Sequence, residues 1–148
     1  MKKGINVSLG ADGAPCNNNL SCLNEMRLAS IIQKPKYGSA AMSAQEVIKM
    51  ATINAAEALG IANETGSIEP GKKADLLLMD LNGINNPLND VDIYSSIVYS
   101  ADVTNIKEVL IEGEWVISKG ESVIYNEQEL VSEGKEELKK LIERTNTR

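Results

Sequence analysis

The sequence contains no histidine and no phenylalanine among its 148 residues. Without imidazole, this chain alone cannot supply a Ser-His-Asp triad, a Cys-His dyad or a histidine-ligated metal site. Its two cysteines, Cys16 and Cys22, are too few for a disulfide scaffold and lack the partners of a zinc finger. They are expected to be two reduced thiols in a cytoplasmic protein. No run approaches the ~18 apolar residues of a membrane span, and the start at Met1-Lys2-Lys3-Gly4 lacks the apolar stretch of a signal peptide. Lys and Arg number 15 against 21 Asp and Glu, a formal charge of −6, which argues against a nucleic-acid groove or a polybasic membrane surface. What is present is ordinary: 43% hydrophobic and 24% charged residues describe a globular chain of about one domain's length rather than a disordered one.

The pattern along the chain opens with Ile5-Asn6-Val7-Ser8-Leu9, an apolar–polar alternation that predicts a strand. Gly10-Ala11-Asp12-Gly13 ends it, and Ala14-Pro15-Cys16-Asn17-Asn18 has loop chemistry. A first helix is expected from an Asn19 cap to Lys34, with Leu20, Leu23, Arg27, Leu28 and Ile31 at three- and four-residue spacing and Pro35 as its stop. Ser43-Ala44-Gln45-Glu46 reads as a capping box. The apolar stripe Val47, Ile48, Ala51, Ala55, Ala58 and Leu59 then predicts one continuous second helix, closed by Gly60.

From Gly66 onward short strands and turns take over. Glu69-Pro70-Gly71-Lys72 fits a type II turn. Ala74-Asp75-Leu76-Leu77-Leu78-Met79-Asp80 reads as a strand buried on both faces, and Asn82 to Asp90 as a polar loop. Asp92 to Ala101 is compatible with a short helix beginning at Asp92, although its period does not decide the matter. Ile106–Ile111 and Trp115–Ser118 flank Glu112-Gly113-Glu114 as a hairpin. After a turn at Lys119-Gly120 and the stretch Ser122–Tyr125, a final helix opens at Asn126-Glu127-Gln128-Glu129 and carries Leu130, Val131, Leu138, Leu141 and Ile142, with a charged outer face.

Asp12 is the candidate catalytic residue. By itself an Asp-Gly after a strand is a turn. An Asp at the C-terminal end of a barrel-type strand, however, stands where barrel enzymes place catalytic groups. The neighbouring Cys16, Asn17, Asn18 and Asn19 are hydrogen-bonding rather than packing residues. Asn17 to Asn19 have two readings, the mouth of a pocket or ordinary loop and cap chemistry. Cys16 lacks a base to activate it as a nucleophile. Arg27 fits a helix–loop ion pair better than a substrate contact, Asp75 a structural role at the start of a buried strand, and Trp115 a core anchor of the hairpin.

Leu9-Gly10-Ala11-Asp12-Gly13-Ala14, followed by Asn17-Asn18-Asn19-Leu20 and Asn24-Glu25-Met26-Arg27-Leu28-Ala29, resembles the last barrel strand, loop and helix of amidohydrolase-superfamily aminohydrolases. The branch is that of the methylthioadenosine/S-adenosylhomocysteine deaminases and triazine chlorohydrolases. Met50–Ala56, Gly66–Leu76, Ile97–Ala101 and Val109–Gly113 resemble later segments of that family in the same order. The resemblance implies an α/β fold: residues 1–62 as the terminal strand and helices of a truncated (β/α)₈ TIM-type barrel, 63–125 as the C-terminal part of a small β-sandwich domain, and 126–148 as a C-terminal helix. The chain would correspond to roughly the final third of such an enzyme. Family members hold one divalent metal, zinc or iron, with an early His-x-His pair, a later His and the terminal Asp. Only Asp12 matches a position in that set, as metal ligand and proton carrier. The implied reaction is hydrolytic deamination of an aminated purine or triazine ring, with a small-molecule substrate and no nucleic-acid or membrane partner. Dechlorination of a halogenated triazine is the alternative chemistry.

A second reading comes from another class: a non-catalytic remnant or structural domain, or a deliberately isolated one. Met1-Lys2-Lys3 is compatible with a true start, an internal Met of a longer frame or an introduced boundary. On either reading the isolated chain is expected to be inactive and metal-free. The lone strand Ile5–Leu9 would expose unpaired backbone groups, so it is expected to pair within a homo-oligomer or to lack fixed structure. The Ala74–Tyr125 strands would then form the compact part, and the apolar faces of the first two helices would need another partner.

Overall fold

The strongest local signal, the capping box at Ser43, is present in full. In the computed structural model, which describes residues 4–86 and 91–146, the Glu46 carboxylate accepts from the Ser43 backbone N–H at 2.7 Å while the Ser43 hydroxyl accepts from Glu46 N–H at 3.3 Å. The helix that follows is not continuous. It forms α2 (Ala44–Ala51) and α3 (Ile53–Leu59), broken at Thr52 with φ −126° and ψ −100°. Thr52 turns its hydroxyl back onto the Ile48 carbonyl at 2.7 Å, the local competition by which β-branched hydroxyl residues bend helices. Against this break passes Gly66, at φ +92°; a Cβ there would lie 2.7 Å from the Ala56 Cβ and 3.1 Å from the Ile53 Cα. The periodicity of the alanines spans both halves, which is why the sequence reads as one helix.

Preceding these, α1 (Cys22–Tyr37) starts at a Ser21 cap rather than at Asn19, and it runs through Pro35 to Tyr37. In the last turn, proline removes a single N–H donor. Lys34 holds the exit by donating from Nζ to the Ser39 and Ala41 carbonyls, at 2.8 and 3.2 Å.

α1 and α2 enclose the core: Leu23, Met26, Ala44, Val47 and Met50, joined by Val98. Val98 lies in a π-helical turn (Ser96–Ser100) that continues α4 (Ile93–Ser95), the short helix opened by Asp92. Thus Val98, from the interval 63–125, sits among the helices. Buried Ser30 donates to the Met42 carbonyl at 2.6 Å and bonds the Tyr99 hydroxyl at 2.7 Å. Among the described residues Arg27 forms no salt bridge of the expected kind, although, after the Thr104 hydrogen bonds, its charge helps to lower the Asp102 pKa. Its Nε and Nη2 donate to the Val98 and Ala101 carbonyls at 3.1 and 2.6 Å, capping the π turn, whose end leaves carbonyls without intrahelical donors.

Residues 5–9 are not a strand; no β-strand is assigned there. Instead the segment lies along α2 and α3. Leu9 N–H donates to the Met50 carbonyl (3.0 Å), and the Asn6 and Asn54 side chains donate to the Asn54 and Val7 carbonyls (2.9 and 3.4 Å). Val7 and Leu9 pack against the core. The α2–α3 helices thus satisfy two backbone groups of the segment, Leu9 N–H and the Val7 carbonyl, that the alternation pattern assigns to neighbouring strands.

The sheet is an antiparallel meander in the order β1 (Leu76–Met79), β2 (Ile106–Ile111), β3 (Glu114–Ser118) and β4 (Glu121–Ser122), with a 3₁₀ turn (Val103–Asn105) before β2. Glu112 and Gly113, at φ 53° and 86°, give the hairpin the double left-handed turn that matches strand twist. The sheet is not the compact part. β1 is not buried on both faces, since Leu77 and Leu78 are 51% and 46% exposed, and Trp115 at 48% is no core anchor. The helices and the π turn carry the core instead. Beyond β4, α5 (Glu127–Asn146) is capped by Asn126, whose Oδ1 accepts from Gln128 and Glu129 N–H. Its apolar stripe is about half exposed. The predicted loop 82–90 is described only to Asn86.

Two outcomes follow from this packing. Gly66→Ala, which meets both a left-handed backbone and the Ala56 contact, should destabilise by about 2–4 kcal/mol. Gly71→Ala, at φ +90° with nothing within 4 Å, should cost only about 1 kcal/mol; urea unfolding of both variants checks the difference. Hydrogen bonds from Ser43, Glu112, Ser95 and Thr104 hold the Glu46, Asp75, Asp92 and Asp102 carboxyls below their ordinary values. Because these folded-state values are depressed, the associated stability is complete above the unfolded carboxylate range and is lost as pH falls through the lower folded values. The urea midpoint should therefore drop as pH falls from about 5 through the unfolded carboxylate range and below it, and less so in Asp75→Asn.

Candidate functional site

The candidate residue Asp12 follows the extended 5–9 segment and has φ +61°, a left-handed conformation that Asp tolerates better than most residues because its short side chain bonds locally. Here Oδ1 accepts from the Gly13 N–H at 2.7 Å. The carboxylate is exposed. Beyond it the chain folds into a tight loop in which Cys16 and Asn17 N–H both donate to the Gly13 carbonyl, at 2.9 and 3.0 Å. Asn17 Oδ1 accepts from Asn19 N–H at 3.1 Å, and Asn17 Nδ2 donates to Glu25 Oε1 at 2.7 Å. Asn17 is thus a loop-building residue, and Asn18 and Asn19 are exposed beside it.

Both thiols are free. Cys16 lies in the loop next to no histidine, since the sequence has none. Cys22 lines an apolar cavity of about 580 Å³ between α1, α2 and the sheet, together with Leu20, Met26, Ile48, Leu77 and Met79. Desolvation there, and then the charge of Glu25, push its thiol pKa up, the reverse of an activated nucleophile.

Asp75 sits away from this loop. It accepts from the Glu112 N–H at 2.8 Å, and with the Thr65 side chain that bond lowers its pKa. It pins the start of β1 to the β2–β3 turn, a structural role. Lys73 reinforces the same corner by pairing with Glu112 at 2.7 Å and Glu64 at 3.2 Å. Sequence reasoning missed these pairs and the Glu25–Asn17 bond, because each joins residues whose spacing follows no helical or strand period.

A metal at Asp12 does not fit this chain alone. No histidine exists in the sequence, and among the described residues no three of His, Cys, Asp and Glu converge on a point. Tight borderline-metal sites need three or four such ligands. What the segment offers chemically is one accessible carboxylate, held in a fixed backbone conformation at the edge of a helical core.

Among the described residues, no helix is long and apolar enough to cross a membrane. Residues 1–116 match the amidohydrolase family. The chain is similar to a 5-methylthioadenosine/S-adenosylhomocysteine deaminase from Thermodesulfovibrio yellowstonii, with 44% identity over 88% of this chain and 30% of the relative. Among solved structures it is similar to an adenosine deaminase from Xanthomonas campestris with bound zinc, at TM-score 0.86 and 31% identity over 91% of this chain and 31% of that one. It is also similar to a zinc-complexed atrazine chlorohydrolase from Arthrobacter aurescens, at TM-score 0.79 and 25% identity over 88% of this chain and 29% of that one. The fold is accordingly α/β, matching part of an amidohydrolase barrel and its small β-domain. The chain spans about a third of the length of the curated relatives it matches. With the extended segment, the Asp12 turn and the following helices all inside the matched region, the chain belongs to the amidohydrolase family.

Proposed function

We propose that this chain supplies the terminal carboxylate of a hydrolytic deaminase acting on the amino group of an adenosine-type purine. The observation that carries the reading is Asp12, exposed and held at φ +61° directly after the extended segment, inside the region that matches the family. In the complete enzyme Asp12 would be one ligand of a divalent metal, zinc by analogy with the zinc-bearing solved neighbours, and that metal would supply an activated water. The other ligands come from polypeptide other than this chain. Residues of this chain do the following. The Asp12 carboxylate accepts a proton from water as its oxygen attacks the ring carbon bearing the amine. A tetrahedral adduct forms, and the same carboxyl returns the proton to the departing nitrogen. Ammonia leaves as the ring nitrogen's electron pair re-forms the C–N double bond, and the remaining hydroxyl proton passes to that ring nitrogen, so the ring keeps a carbonyl in place of the amine. One carboxylate serving first as base and then as acid contributes ~10²–10⁴-fold in such reactions.

An adenosine-type substrate is favoured over a triazine because identity is 44% and 31% to the deaminases against 25% to the chlorohydrolase. Dechlorination would leave chloride in place of ammonia. Half-exposed apolar side chains on α1, the sheet and α5 support association with further polypeptide, a second copy included.

The test is a chimera in which this segment replaces the corresponding third of the Thermodesulfovibrio relative. It should release ammonia from 5′-methylthioadenosine and no chloride from atrazine. Asp12→Asn in that chimera keeps the side chain's shape but removes the proton acceptor, so kcat should fall at least ~10³-fold; near-normal turnover would refute the role of Asp12. The isolated chain, purified without added metal, should carry no stoichiometric zinc or iron by elemental analysis and should release no ammonia. One tightly held metal per chain would count against this account of the ligands.

A further inference from the structure

We propose that the Asn17–Glu25 hydrogen bond is the clamp that positions the Asp12 carboxylate, an inference that rests on the role assigned to Asp12 above. The loop between Asp12 and α1 is folded mainly on itself. Cys16 and Asn17 N–H converge on the Gly13 carbonyl, Asn19 N–H on Asn17 Oδ1, and Ser21 N–H on the Asn19 carbonyl. Of these bonds only the one from Ser21, the N-cap of α1, reaches the helix, and it leaves residues 13–17 untied to it. Besides the cap at Ser21, whose hydroxyl accepts from Asn24 N–H at 3.4 Å, the side-chain bond that joins the loop to α1 among the described residues is Asn17 Nδ2 to Glu25 Oε1, at 2.7 Å and partly buried. A carboxylate acceptor makes it one of the stronger kinds of neutral-donor bond.

Its position gives it leverage. Glu25 lies between Leu23 and Met26, both in the core, and two residues before Arg27, which locks α1 to the carbonyls of the π turn. From Glu25 the links are contiguous: its carboxylate holds the Asn17 side chain, the Asn17 backbone N–H holds the Gly13 carbonyl, and the Gly13 N–H holds Asp12 Oδ1. A left-handed non-glycine residue persists only where its surroundings over-determine it, and a misplacement of about 1 Å at a reacting group can cost ~10²-fold in rate. Glu25 is therefore a positioning residue and not a catalytic one. The competing reading is that Glu25 is merely an acid in the first turn of α1, favoured by the helix dipole. The two readings diverge for Glu25→Gln, which keeps an amide oxygen to accept from Asn17 but loses the charge.

Hydrogen–deuterium exchange on the chain as it stands tests the clamp without reference to activity. Exchange at the Cys16 and Asn17 amides should accelerate about tenfold in Glu25→Ala. It should stay within about twofold of the parent in Glu25→Gln. Asn17→Ala should also loosen the loop, and the double variant Asn17→Ala/Glu25→Ala should go no further than the greater of the two single changes. Unchanged exchange in Glu25→Ala, or a Gln variant that behaves like Ala, overturns the proposal. In the chimera, Glu25→Ala should lower kcat about 100-fold at unchanged KM, and Glu25→Gln should restore it to within a few-fold; full kcat in Glu25→Ala overturns the clamp. If Asp12→Asn turns over normally, it is the assignment of Asp12 that falls, while the exchange result still decides whether Glu25 holds the loop.

Discussion

The rest of the structure depends on the contact between α1, α2 and the π-helical turn. Val47 and Val98 are wholly buried there, with Leu23, Met26, Ala44 and Met50 around them. Two polar groups make that contact directional. Arg27 donates to two carbonyls of the turn, and Ser30 joins α1 to both Met42 and Tyr99. Apolar burial alone is non-directional. The hydrogen bonds decide which face of α1 meets the turn, and so where the preceding Asp12 loop emerges.

That core is small for the chain's length. The accessible surface is 10921 Å², whereas a self-contained folded chain of 16.0 kDa would expose roughly 7,400 Å² by the usual size scaling. Apolar faces are among what is exposed: Leu28, Ile31 and Ile32 on α1, Leu77 and Leu78 on β1, and the stripe of α5. In a chain that spans a third of its relatives' length, amphipathic elements retain the pattern of a larger body. The apolar cavity behind Leu77 and Met79 belongs to the same incomplete enclosure.

The site follows the same logic at smaller scale. One carboxylate is held well, through its own backbone conformation and a bond to Gly13 N–H, yet the chemistry of the family needs several groups at one point. Absence of histidine makes that division absolute for this chain. Under the proposed function its contribution is an acid–base group, Asp12, in a loop whose Asn17 side chain bonds Glu25 of α1.

Sequence by itself determined what is local. The capping box at Ser43, the left-handed stop at Gly60, the Glu112-Gly113 turn and the Asn126 cap each depend on residues within four positions of one another, so short-range sterics and hydrogen bonding suffice to specify them. The Asp12 motif was legible for the same reason, as an Asp-Gly turn inside a recognisable string. Tertiary structure decided what depends on distant partners. Residues 5–9 have the alternation of a strand, but period alone does not create a neighbouring strand, and Met50 and Asn54 bond the Leu9 N–H and the Val7 carbonyl instead. The break at Thr52 leaves room for Gly66, fourteen residues later in the chain, to pass against Ile53 and Ala56. Arg27 found carbonyls more than seventy positions away, where the sequence suggested an acid. In each case the outcome was set by which polar group another element brought within hydrogen-bond reach, a quantity that no periodicity encodes.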